Sequence, residues 1–81
     1  MDRQISIGGP VEESEGKLVL RIPLDAGGSE LIELAKGISK VEDGLLIIEI
    51  PDWLAERLNV MLGSNVIVDN AEGKIRITRN D

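Results

Sequence analysis

The sequence predicts an α+β fold: a small mixed β-sheet carrying two helices, in the order β-α-β-α-β-β. Three observations lead there. Alternating apolar and polar residues in Lys17–Pro23 mark a strand, and Leu45–Ile50 is apolar enough to be a central one. Two stretches, each following a Pro, space their apolar residues for a helix. Two short β-rich runs near the end, Asn65–Asp69 and Lys74–Thr78, flank a turn.

Residues 1–16 read as a flexible acidic leader, because Gly8-Gly9-Pro10 and Glu12-Glu13-Ser14-Glu15-Gly16 offer little to bury. Within it, Ile5 and Ile7 alternate with Gln4 and Ser6, so an extra strand at 4–8 stays open. A single domain is expected over 17–79. In Lys17–Pro23, Leu18, Leu20 and Ile22 share one face; Lys17, Val19 and Arg21 share the other.

The turn Asp25-Ala26-Gly27-Gly28-Ser29 then leads to the first helix, with Ser29 as its N-cap. Leu31, Leu34, Ala35 and Ile38 form its apolar stripe, and Gly37 ends it. Glu42-Asp43-Gly44 is a turn before the strand Leu45–Ile50. Pro51 pre-sets the backbone for the second helix, whose buried side is Leu54, Leu58 and either Met61 or Leu62. Gly63 breaks the chain. Asn70-Ala71-Glu72-Gly73 joins the last two strands, and Asn80-Asp81 is a tail. Leu18-Val19-Leu20-Arg21-Ile22-Pro23 and Leu46-Ile47-Ile48-Glu49-Ile50-Pro51 repeat the same strand-Pro grammar.

Composition narrows function by exclusion. The 81 residues include 27 Leu, Ile and Val, one Trp, and no Cys, His, Tyr or Phe. A disulfide framework, an ordinary zinc, haem or iron–sulfur site, and a His-based or Cys-based nucleophile are therefore excluded. No cofactor and no metal site is expected. The net charge of −6 opposes bulk nucleic acid and anionic membranes. Half of it falls in residues 1–16, where Asp2, Glu12, Glu13 and Glu15 outweigh Arg3. The N-terminus lacks the basic start and apolar core of a signal peptide, and the longest apolar run, Leu45–Ile48, is too short for a membrane span. A cytoplasmic protein is the expectation.

Ile48-Glu49-Ile50-Pro51-Asp52-Trp53-Leu54, followed by Leu58, Gly63-Ser64-Asn65-Val66-Ile67-Val68 and Gly73-Lys74-Ile75-Arg76-Ile77, resembles the AbrB-like swapped-hairpin family. The likeness covers residues 45–78. It implies a homodimer with interleaved strands, forming a dimeric barrel, that acts as a DNA-binding regulator or antitoxin. The family usually places basic residues just before the Pro. Here that region holds Glu42, Asp43 and Glu49, with Asp52 following the Pro, so charge disfavours DNA as a partner.

Several residues merit weighing as sites. Lys17, Arg21, Lys74, Arg76 and Arg79 could share a basic face for phosphate or an acidic partner; the plainer reading is a solvated sheet face. Asp25–Ser29 lies where anions can bind, but it lacks a P-loop pattern and carries carboxylates on both sides. Asp43, Asp69 and Glu72 sit on turns without calcium-loop spacing. Trp53, with Val60 and Met61, is the candidate for an oligomer or partner interface. Two functions follow. One is a non-catalytic AbrB-like regulator forming a homodimer. The alternative is an acidic protein–protein interaction or assembly module without DNA binding. Enzyme activity is not expected, since the usual catalytic residue types are missing.

Overall fold

A computed structural model describes residues 4–80. Asp2 and Arg3 of the leader and Asp81 of the tail lie outside the described residues. Seven strands and one α-helix follow in order: β1 Ser6–Pro10, β2 Glu12–Ser14, β3 Lys17–Pro23, β4 Ser39–Glu42, β5 Leu45–Glu49, α1 Asp52–Leu58, β6 Asn65–Asp69 and β7 Arg76–Arg79. They form two sheets in which every pairing is antiparallel, ordered β1-β6-β7 and β2-β3-β5-β4. The expected mixed sheet with two helices in β-α-β-α-β-β order is therefore corrected to a mostly β fold with one helix.

The first expected helix is the main departure. Residues 24–37 form short 3-10 turns at Leu24–Ala26 and Gly28–Glu30, followed by further turns. Gly27 takes φ 109° between them, which breaks helical propagation, and Ser29 makes no side-chain cap. Gly28 is pressed against β3: a Cβ there would lie 2.8 Å from the Pro23 carbonyl oxygen and 2.9 Å from that of Ile22. Half of the expected stripe still does its work. Leu31 and Ala35 are fully buried and joined by an Ala35 N–H to Leu31 C=O bond of 2.9 Å, but Ile38 emerges into solvent. An apolar stripe thus requires only one helical turn here, not a helix.

Residues 6–14, read as part of a loose leader, are two paired strands. β1 covers β6 from Ser6↔Asp69 to Pro10↔Asn65. The chain then crosses to the other sheet at Val11, which is 1% exposed and fixed by bonds between Val11 and the Gly63–Ser64 backbone (2.8 and 2.9 Å). Ile5, Val11, Val66, Val68 and Ile77 from this side meet Leu20, Ile22, Leu46, Ile48 and Ile50 from the other in one core. That core closes within a single chain.

Three acidic-Gly pairs turn the chain: Glu15-Gly16, Asp43-Gly44 and Glu72-Gly73. Each places two successive residues in the left-handed region, with φ of 55° and 79°, 52° and 76°, and 58° and 72°. The first two are two-residue hairpin loops, between Ser14↔Lys17 and Glu42↔Leu45, where this geometry matches strand twist. Their strands β3 and β5 then pair with Leu20 opposite Ile48. The four-stranded sheet is thus two similar hairpins laid side by side, and the repeated strand-Pro segments are its two middle strands.

Candidate functional site

Two surfaces carry more apolar character than solvent exposure requires. The first is α1 and the loop beyond it. Pro51, at φ −61° and ψ 150°, starts the helix, and its carbonyl accepts from Leu54 and Ala55 N–H at 3.0 and 2.9 Å. Ala55 is buried, and Leu54 and Leu58 pack beside it on the core. Trp53, one residue off that stripe, projects outward and is 62% exposed. Asn59 ends the helix at φ 56°. Its N–H bonds Glu56 C=O at 3.1 Å, and Val60 N–H bonds Ala55 C=O at 2.9 Å, which together form a Schellman cap.

The cap drives Val60 into the core at 7% exposure and leaves Met61 and Leu62 outside, at 62% and 60%. Met61 N–H donates to Ser64 Oγ at 3.0 Å, and Ser64 N–H to Met61 C=O at 2.9 Å, so this apolar tip is pinned. Of the three interface candidates, Trp53 and Met61 are presented to solvent, and Val60 belongs to the core.

The second surface is the outer face of the four-stranded sheet. Val19 and Ile47 lie outside the main core cluster yet are buried, at 4% and 6% exposure. They floor an open groove of about 280 Å³ whose walls include Ile38, Lys40 and Pro51. Charges flank it in pairs: Lys17 with Glu49 at 3.3 Å, and Arg21 with Glu12. Such a face can hold an apolar or amphipathic segment. It offers no concentrated positive potential to phosphate.

The five basic candidates do not share a face. Lys17 and Arg21 lie on this outer face, each paired with a carboxylate. Arg76 lies on the other sheet and binds Asp69 through Nε and Nη2, at 3.2 and 3.1 Å. Arg79 donates to the Asn59 carbonyl at 3.2 Å. Lys74 stands exposed in the loop before β7.

Asp69 has a structural task. Its Oδ1 accepts the Ala71 N–H at 3.0 Å, closing the turn, while Oδ2 takes the two Arg76 bonds. The Ala71 bond, seconded by Arg76, holds its carboxyl below the ordinary value of 3.8 against the opposing effect of burial.

Among the described residues, no group of three or more His, Cys, Asp or Glu could hold a metal ion. Every buried side-chain nitrogen and oxygen among them has a hydrogen-bond partner. Asp25, Ala26, Gly27, Ser29 and Glu30 line a second open groove, while Gly28 packs closely on β3. No helix of the described residues is long and apolar enough to cross a membrane.

Sequence reasoning missed Ile38, Val41 and Leu62 as exposed apolar residues. The signal for Val41 was present: Asp-Gly after Ser39-Lys40-Val41-Glu42 is a strong hairpin mark, which makes that tetrapeptide an edge strand. No family model, no curated protein and no solved structure matches this chain.

Proposed function

We propose that this chain is a non-catalytic, cytoplasmic protein-association module that acts by self-association and by presenting an apolar surface to a protein partner. The observation that carries this reading is the exposure of Trp53, Met61 and Leu62, each at 60% or more, around a helix whose other side is core. Trp is enriched among the residues that dominate protein interfaces, and clustered exposed apolar side chains mark interaction surfaces. The AbrB-like regulator reading has less support. The cations it would use are dispersed, and three of them face carboxylates.

A photo-crosslinking residue at position 53, and separately at 62, tests the choice in cells. Crosslinks to protein, lost when Met61→Ser is added, are the expected result. Crosslinking to nucleic acid, together with duplex binding that weakens steeply with added salt, would establish the regulator reading instead.

A further inference from the structure

β4 is the exposed edge of the four-stranded sheet, and its sequence complements itself. We propose that two copies of this chain associate by pairing their β4 strands antiparallel about Val41, which joins two four-stranded sheets into one of eight strands. The inference rests on the reading of this chain as a self-associating module and names the surface.

The geometry starts at the Asp43-Gly44 hairpin. In a two-residue loop the flanking pair Glu42↔Leu45 exchanges hydrogen bonds, so Lys40 and Ile38 also direct their peptide groups toward β5. The Glu49 N–H to Ile38 C=O bond of 2.7 Å fits that alternation. The peptide groups of Ser39 and Val41 therefore face away from β5, toward an open edge. Side chains alternate independently. Lys40 and Glu42 stand on the outer face beside Ile47 and Leu45, and Val41, 50% exposed, stands on the other. Neither Lys40 nor Glu42 makes an ion pair with any described residue.

A two-fold axis normal to the sheet pairs residues on the same face, which allows only registers that move by two. Centring on Val41 sets Val41 against its own copy, with both outward peptide groups bonded. It places Lys40 opposite Glu42 of the second copy, twice by symmetry, in the closely spaced pair type where side chains interact most. Shifting one step either way sets Lys40 against Lys40 or Glu42 against Glu42, and like charges oppose both registers. The other edges do not self-complement. β2 is three residues with two carboxylates, β1 ends in Pro10, and the charges of β7 are both Arg.

Sedimentation velocity is the test, at chain concentrations up to roughly 1 mM, because a four-residue edge supports only a weak complex. The wild-type chain is expected to dimerise reversibly. Lys40→Glu or Glu42→Lys alone should weaken the dimer roughly tenfold, and the double exchange should restore it. Val41→Pro removes an N–H that β5 does not use, so it should abolish the dimer and leave the monomer folded by circular dichroism. A dimer indifferent to all of these variants would place self-association on another surface and overturn the β4 pairing alone. A wild-type chain that stays monomeric throughout would overturn both the pairing and the self-association it rests on.

Discussion

At Asn59 the backbone sits at φ 56°, a conformation that asparagine tolerates and β-branched residues do not. That one residue turns the chain so that Val60 enters the core while Met61 and Leu62 leave it. Asn59→Val should therefore cost about 1–2 kcal/mol in chemical denaturation. Neighbours differ sharply for the same reason. Val60→Ala should cost roughly 2 kcal/mol through the cavity it leaves, and Trp53→Ser, at a 62% exposed site, should stay within about 0.5 kcal/mol.

Asp69 links this scale to pH. Its folded pKa lies below 3.8, so the folded state binds the proton less readily than the unfolded chain does. Its contribution is complete above 3.8 and disappears as pH falls from 3.8 through the lower folded value. Urea midpoints of wild type and Asp69→Asn should differ at pH 7 and converge on acidification below that range. A constant difference would contradict the assigned role.

At the scale of elements, β1 is the decisive piece. Its alternation of Ile5 and Ile7 with polar residues was legible, but its acidic, Gly-rich surroundings resembled a loose segment. Pairing with β6 gives those residues a place, because Ile5 and Val11 become buried. Burying each such aliphatic side chain is worth about 1.5–3 kcal/mol, and a whole domain retains only about 5–15 kcal/mol. Removing residues 1–11 should therefore abolish cooperative unfolding by circular dichroism, an outcome opposite to that of trimming a flexible leader. The turns at 24–37 teach the converse. Four apolar residues are spaced for a helix, yet the segment between Gly27 (φ 109°) and Gly37 (φ 95°) closes one helical turn, from Ala35 N–H to Leu31 C=O, and otherwise runs as turns. Local periodicity reports which side chains go inside, here Leu31 and Ala35, more securely than it reports the backbone that takes them there.

At the scale of the whole molecule, the charge balance and the apolar exposure point the same way. The net charge of −6 and the ion-paired cations leave little for phosphate to hold, and Trp53, Met61, Leu62 and Val41 leave apolar area uncovered. Binding to mixed-sequence duplex DNA should accordingly be undetectable by mobility shift even at low salt. Trp53, the only aromatic residue, provides a direct monitor of association. Its emission should be that of a hydrated indole in the free chain and move to shorter wavelength when a partner covers it. An emission already shifted in the isolated monomer would contradict the exposure assigned to it.

Residue type and short-range spacing alone specify the aliphatic core, the two strand-Pro segments, a helix after Pro51 and the absence of thiol or imidazole chemistry. Tertiary structure decided which sheet each strand joined, that the opening residues complete the core, and that Lys17, Arg21 and Arg76 lie beside carboxylates rather than on one basic face. The physical reason is range. Periodicity and turn chemistry act within a few residues, whereas the partner of β1 lies some 60 residues away, and nothing in the local pattern of either strand names the other.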